Sequence, residues 1–305
     1  MVRVLVADPI AESAKKRMEN AGLEVVVRNK DVDGPVEQQI KGFDCILVRS
    51  ATKVTSKVIE AADRLKLIVR AGVGLDNVDQ KAAEARGIKV LNTPEAPTVS
   101  VAEMVFAHML ALARGLTRAD SLMKAQQWEK KSLSGVELWQ KTLGVIGLGR
   151  IGVEVAKRAT AFGMMVLAYD VIDVKEKCKK LGITSASLNE ILEKSDFITV
   201  HVPLLPETKN MIGEKELRRM KKTAYIINTA RGGIIDEAAL LKALDEGTIA
   251  GAGLDVFEQE PPTDWSLAKH PKVVATPHLA SSTEEAQERV GDLAAEKVIN
   301  EFKSK

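Results

Sequence analysis

Two rhythms of apolar and polar positions alternate along this chain. Short apolar runs, "VRVLVAD" (2–8), "LEVVVR" (23–28), "FDCILVRS" (43–50), "LKLIVRAG" (65–72) and "IKVLN" (88–92), have the length and β-branched content of buried strands. Between them "AESAKKRMENAG", "TSKVIEAAD" and "DQKAAEARG" space apolar residues at helical period, each with a turn residue near its end. Strands alternating with amphipathic helices predict βαβ units and a mostly parallel sheet covered on both faces. A long helix is expected over Val99–Lys124, opened by a capping box of Ser100 and Glu103. The series restarts at "KTLGVIGLGRIG" (141–152) and runs on through "MMVLAYD", "DFITVHVPL", "TAYIINTARGG", "IAGAGLDVFE" and "KVVATPHLA". A closing helix is expected over Ser282–Phe302, boxed by Ser282 and Glu285. The pattern predicts an α/β protein of two parallel-sheet units, joined near "NTPEAPTVS" and "HLASST".

Composition narrows the function classes. A chain of 305 residues has room for two domains. Its 44 basic and 42 acidic side chains are well mixed, which argues against an electrostatic nucleic-acid binder. No apolar run approaches the length of a membrane span, and the first residues read as a strand rather than a signal peptide. Cys45 and Cys178 lie far apart without metal-ligand spacing, so neither a metal site nor a disulfide framework is expected. A reducing, cytoplasmic setting fits that cysteine usage.

The strongest local signal is "TLGVIGLGRIGVEVAKRATAFGMMVLAYD". A strand runs into Gly147, Gly149 and Gly152 and then into a helix, and a second strand ends at Asp170. The first glycine permits a tight turn, the second lets backbone approach a pyrophosphate, and the third lets helix and strand pack closely. N–H groups at the helix start receive the anion, and an acid at the spacing of Asp170 hydrogen-bonds an adenosine ribose. That acid repels a 2′-phosphate, so NAD is expected over NADP. In "HVPL", Pro203 holds a loop beside the adenosine pocket, while His201 either lines that pocket or caps a strand.

Hydride transfer from a hydroxyl-bearing carbon needs a base, a group that orients the base, and a cation for the substrate's anionic group. The chain has 4 histidines. His108 lies among Met, Leu and Ala within the long helix and reads as a core or interface residue, and His270 stands in a polar loop. His278 follows a strand and precedes a capped helix, the position at which open α/β sheets bind ligands. Glu260, ahead of two prolines in "DVFEQEPP", is either a positioned carboxylate or a solvated loop acid. Arg231 ends a strand beside Gly232 and Gly233; it is either a carboxylate clamp or a surface ion pair.

"NTARGGIIDEAAL", "GLDVFEQEPP", "TPHLAS" and "GLGRIG" together resemble the D-isomer-specific 2-hydroxyacid dehydrogenases, in order and spacing over essentially the whole chain. The resemblance implies a doubly wound Rossmann domain for NAD at 96–280, inserted in a flavodoxin-like substrate domain of residues 1–95 plus 281–305. It implies a catalytic set of Arg231, Glu260 and His278, and nucleotide contacts from Gly147, Gly149, Arg150, Ile151, Gly152, Asp170, His201, Val202, Pro203, Thr229, Ala230, Asp255, His278 and Ala280. It also implies a homodimer paired through the nucleotide domain, with the long helix contributing. Neutral His278 then takes the hydroxyl proton in oxidation, the imidazolium returns it in reduction, and Glu260 stabilises the charged ring.

Substrate choice is expected from the first unit. Arg49, Ser50 and Lys53 follow one strand, and the Gly72-Val73-Gly74 turn, following the next, offers N–H groups to a carboxylate opposite Arg231. Arg49 and Lys53 suit a phosphate, which Lys130 or Lys131 would supplement, although an ordinary solvated face also explains these lysines. "RSATKVT", "RAGVGLDNVD" and "HLASSTEEAQ" resemble the 3-phosphoglycerate branch of the family more than the glyoxylate or D-lactate branches. Val73 and Val202 stand where some relatives carry threonine at the cofactor. No regulatory domain, and hence no serine feedback through one, is expected after the terminal helix. A glyoxylate/hydroxypyruvate reductase and a non-catalytic NAD-sensing module are the alternatives.

Overall fold

In the computed structural model, which describes residues 1–29 and 32–303, the chain divides into two units, Met1–Thr98 with Ser281–Lys305 and Val99–Ala280. The first contains β1 (Arg3–Val6), α1 (Glu12–Asn20), β2 (Glu24–Val27), α2 (Val36–Gln39), β3 (Cys45–Val48), α3 (Ser56–Ala61), β4 (Leu67–Arg70), α4 (Gln80–Ala85) and β5 (Lys89–Asn92). These strands are all parallel, in the order β2-β1-β3-β4-β5, which is the flavodoxin-like order. Pleating divides their side chains between two cores. Leu5, Ile46 and Ile68 meet Val36, Ile40, Val58 and Ile59 on one face. Val4, Val6, Leu47 and Val69 meet Met18 of α1 and Val290, Ala294 and Val298 of the terminal helix, Glu284–Lys303, on the other. Gly291 lets that helix approach α1 closely, since a Cβ there would lie 3.2 Å from the Ala14 Cβ.

The second unit contains α5 (Thr98–Arg114), α6 (Leu116–Lys124), β6 (Thr142–Ile146), α7 (Arg150–Ala161), β7 (Met165–Tyr169), α8 (Lys175–Leu181), β8 (Thr184–Ser185) and α9 (Leu188–Lys194). It continues with β9 (Phe197–Val200), α10 (Glu214–Leu217), β10 (Tyr225–Asn228), α11 (Glu237–Asp245), β11 (Gly251–Leu254) and β12 (Val273–Ala275). Seven parallel strands take the order β12-β11-β10-β9-β6-β7-β8. Strand order reverses between β6 and β9, which makes their carboxyl ends the topological switch point where such sheets bind ligands. Leu143, Val145, Phe197 and Ile227 face α5 and α7, whereas Ile146, Ile198, Val200 and Ile226 face α9 and α11. The α/β class and both parallel sheets are as the apolar pattern predicts.

Three local expectations are corrected. The helix expected over Val99–Lys124 is two helices, α5 and α6, bent by 66° at Gly115, which takes a left-handed conformation at φ +57°. Ser100 does not cap α5: it is buried within the helix, which starts at Thr98. The terminal helix starts at Glu284, and Thr283 rather than Ser282 caps it, its Oγ1 accepting from the Ala286 N–H at 3.2 Å.

Candidate active site

The glycine-rich turn leaves β6 at the switch point. Gly147 adopts φ +94°, and a Cβ there would lie 2.7 Å from the His201 carbonyl oxygen. At Gly152 a Cβ would lie 2.1 Å from the Gly147 carbonyl oxygen, so the start of α7 is pressed onto the turn. Gly149 differs: nothing lies within 4 Å of a Cβ built there, so the approach to the α7 N-terminus is open. Arg150 and Ile151 form the first turn of α7. Asp170 is tied to the turn, its Oδ2 accepting from the Leu148 N–H at 2.8 Å, and Lys177 donates to the Leu148 carbonyl at 3.1 Å. The buried Thr229 Oγ1 and His201 Nδ1 have no hydrogen-bond partner among the described residues. An open helix N-terminus, a carboxylate at the second strand and orphaned polar atoms after β9 and β10 fit a bound dinucleotide.

His201 is held by its neighbours. Its N–H donates to the Ile146 carbonyl at 2.7 Å, and its Nε2 pairs with Thr199 Oγ1 at 3.0 Å. Burial pushes its imidazole down to about 3, so the ring is neutral and a poor proton shuttle at neutral pH. Val202 and the exposed Pro203 continue the same segment.

Because β10, β11 and β12 are parallel neighbours, the segments after them emerge on one edge of the sheet. Arg231 follows β10, Glu260 follows β11 and His278 follows β12. Buried Asn228 shapes the first segment: its Oδ1 accepts from the Ala230 N–H at 3.0 Å and its Nδ2 donates to the Arg231 carbonyl at 2.8 Å. The Arg231 guanidinium donates to the Ala230 carbonyl at 2.6 Å. A Cβ at Gly232 would lie 1.9 Å from the Phe257 carbonyl oxygen, so only glycine lets this turn pack on the Glu260 segment. Asp236 caps α11, accepting from the Ala239 N–H at 2.9 Å. Glu237 accepts from the Glu258 N–H, and burial raises its carboxyl.

Glu260 and His278 meet directly. Glu260 Oε2 lies 2.7 Å from His278 Nδ1, while its Oε1 accepts from the Phe257 N–H at 3.2 Å. Both side chains are partly open, at 38% and 44% exposure, so a substrate can reach them. With Nδ1 donating to the carboxylate, neutral His278 carries its lone pair on Nε2. His278 takes the left-handed conformation at φ +54°, and its N–H donates to the Asp255 carbonyl at 2.8 Å. The side chain of fully buried Asp255 accepts from Leu279 N–H at 2.7 Å and Ala280 N–H at 2.8 Å. Asp255 and Ala280 are therefore structural supports of the His278 segment, whatever else they contact.

In the first unit, Arg49, Ser50 and Lys53 lie in a braced loop. Buried Asp8 accepts from Arg49 N–H at 2.6 Å, Thr52 N–H at 3.1 Å and the Thr52 hydroxyl at 2.7 Å. The Asn77 amide donates to the Arg49 and Thr52 carbonyls, both at 2.6 Å. Gly72 has φ +144°, ahead of the half-buried Val73 and Gly74. Sequence reasoning missed Asp8, Asn77, Thr276 and Lys177, because each acts on a segment distant in the chain; Asn228 acts locally, two and three residues on, within a motif read for its arginine and glycines. Among the described residues no cluster of three or more His, Cys, Asp or Glu side chains is arranged to hold a metal ion.

Comparison with known proteins agrees with this geometry. Residues 106–280 match the family model described as D-isomer specific 2-hydroxyacid dehydrogenase, NAD binding domain. The D-3-phosphoglycerate dehydrogenase of Methanocaldococcus jannaschii is 49% identical over 299 residues, which is 98% of this chain but 57% of that protein. The chain thus spans little more than half the length of that relative. The hydroxypyruvate reductase of Thermotoga maritima is 48% identical over 304 residues, 98% of both chains. The D-lactate dehydrogenase of Aquifex aeolicus, solved with NAD and lactic acid, superposes with a TM-score of 0.86 at 34% identity, covering 99% of this chain and 96% of that one. With the glycine turn, the Glu260–His278 pair and Arg231 all on the matched segment, the chain belongs to the D-isomer-specific 2-hydroxyacid dehydrogenase family.

Proposed function

We propose that this protein is an NAD-dependent dehydrogenase that oxidises D-3-phosphoglycerate to 3-phosphohydroxypyruvate, the entry step of serine synthesis. The observation that carries the chemistry is the 2.7 Å pairing of His278 Nδ1 with Glu260 Oε2. That pairing leaves Nε2 to take the substrate hydroxyl proton, and the Glu260 carboxylate stabilises the resulting imidazolium. Arg231, permanently charged and forked, clamps the substrate carboxylate. Gly147 and Gly152 shape the cofactor turn, Gly149, Arg150 and Ile151 receive the pyrophosphate at the open start of α7, and Asp170 takes the adenosine ribose and disfavours a 2′-phosphate. His201, Val202, Pro203, Thr229 and Ala230 line the dinucleotide. When bound, the nicotinamide supplies the acceptor for the hydride leaving C2.

The substrate assignment rests on the 49% identical phosphoglycerate dehydrogenase and on cationic Arg49 and Lys53 in the loop braced by Asp8. Ser50 and the backbone of Val73 and Gly74 complete the proposed substrate contacts. A second reading, hydroxypyruvate or glyoxylate reduction, is favoured by the reductase that matches 98% of both chains. Steady-state kinetics with 3-phosphoglycerate, 3-phosphohydroxypyruvate, hydroxypyruvate and glyoxylate, for the wild type and Arg49→Ala, separates the two. We expect the phosphorylated pair to be preferred, and Arg49→Ala to cost it roughly 10-fold or more in kcat/KM while sparing glyoxylate. Equal losses for both substrates would refute the phosphate role.

The same proposal includes a homodimer and a reducing, cytoplasmic setting. α6 buries none of its residues and exposes Leu116 and Met123, with Trp128 just beyond, an apolar surface suited to a second copy. Both cysteines are free and buried, and burial raises both thiols, which supports a setting that asks no disulfide of them.

A further inference from the structure

We infer that His108 is a positioning residue for His278, acting from the middle of α5 through Thr276 and Asp255; the inference rests on the acid–base role proposed above for His278. His108 is 2% exposed, and its Nε2 lies 3.1 Å from Thr276 Oγ1. The Thr276 hydroxyl lies 2.5 Å from Asp255 Oδ1. A carboxylate only accepts, so the hydroxyl proton belongs to the Thr276–Asp255 bond. The Thr276 oxygen is then an acceptor toward His108, and the His108 proton sits on Nε2. This sets the tautomer and leaves Nδ1 bare, in agreement with a buried Nδ1 that has no partner among the described residues. Burial lowers the basicity of the ring, which keeps it in this neutral form.

The far end of the relay is the His278 segment. Asp255 holds it at three points: its backbone carbonyl takes the His278 N–H at 2.8 Å, and its carboxylate takes the N–H groups of Leu279 at 2.7 Å and Ala280 at 2.8 Å. These bonds keep His278 at φ +54°, a conformation disfavoured for a residue with a Cβ, and so aim its ring at Glu260. The sheet makes room for the relay. A Cβ at Gly253, in the middle of β11, would lie 2.8 Å from His108 Cβ and 3.1 Å from its Nδ1, so glycine there admits the imidazole. His108 does not touch Glu260 or His278 in this account, and its effect passes only through the two side chains between.

Imidazole 15N NMR tests the relay directly, because the chain has only 4 histidines and each signal can be assigned by substitution. In the wild type we expect His108 protonated on Nε2 alone, and neutral His278 protonated on Nδ1. His108→Leu and Thr276→Val should turn His278 into a mixture of tautomers. They should also lower kcat for NADH-driven 2-keto acid reduction by roughly 10–100-fold, up to the cost of a catalytic group displaced by about 1 Å, with KM for NADH moved by less than about two-fold. His108→Gln, whose Nε2 reaches the same place, should restore the single His278 tautomer and the rate, whereas His108→Asn should not. Should the Leu variant not fold, the Gln and Asn pair carries the same comparison. A His278 spectrum and kcat unchanged in His108→Leu, or equal in Gln and Asn, would overturn the inference. If the wild type reduces no 2-keto acid, the proposed function fails, and the tautomer of His278 still decides the relay.

Discussion

In the proposed reaction His278 and Glu260 divide one task. The imidazole would exchange the proton, and the carboxylate 2.7 Å away would fix which ring nitrogen is bare and stabilise the charge once the ring is protonated. Oxidation of a hydroxy acid starts from the neutral ring, and reduction of a keto acid starts from the imidazolium. Oxidation should therefore speed up as pH rises and reduction as pH falls, giving oxidation the more alkaline optimum. His278→Ala should lower kcat in both directions by roughly 10²–10⁴-fold and abolish that opposition. Superimposable pH profiles for the two directions in the wild type would remove His278 from the role. His201 is a poor substitute, because burial holds its ring uncharged far below neutral pH. The types of these residues were readable in the chain, and their pairing was implied only by the family resemblance, not by spacing. Glu260 read equally well as a solvated loop acid until β11 and β12 were seen side by side.

At the scale of elements, the decisive contacts lie where one strand's exit meets the next. Gly232 joins the Arg231 turn to the Phe257–Glu258 peptide, and Gly233 beside it has only a positive φ of +76° to accommodate. Gly232→Ala should therefore cost stability by about 2 kcal/mol or more through overlap with backbone, and should lower kcat by parting Arg231 from the Glu260 segment. Gly233→Ala meets no atom nearer than 3.7 Å and should cost about 1 kcal/mol of backbone strain, with a smaller loss of rate. Thermal melts and kcat for the two variants check this; a Gly233→Ala enzyme damaged as severely as Gly232→Ala would refute the packing account. Elements with a long, clean period were legible in advance, as β6, α7 and the terminal helix show. The helix break was not. Gly115 sits in a helical pattern that is otherwise unbroken; glycine adopts its φ of +57° readily, but a lone glycine in such a pattern does not reveal whether the helix turns there or runs on.

For the whole molecule, the question is what covers α6. Each of its residues is at least partly exposed, while α5 buries Ala102, Val105, Phe106 and Met109 in the core of its unit. Leu116 and Met123, at 59% and 57% exposure, belong in an interface if a second copy packs here. Sedimentation of the wild type should then give the mass of a dimer, and Leu116→Glu with Met123→Glu should shift it to a monomer at low concentration. A monomeric wild type, or a double variant that still dimerises, would place the interface elsewhere.

The sequence by itself determined what is local. Period and composition specify strand and helix, because burial of a repeating apolar face is their main support. Glycine spacing specifies a phosphate-binding turn, because only that backbone admits the anion. Tertiary structure alone decided that Gly232 meets Phe257, Asp8 the Arg49 loop and His108 Thr276, and it gave the Glu260–His278 pair implied by the resemblance its atoms and distance. Those meetings follow from strand order and parallel register, which arise from packing helices on both faces of each sheet and leave no periodic trace in the residues they bring together.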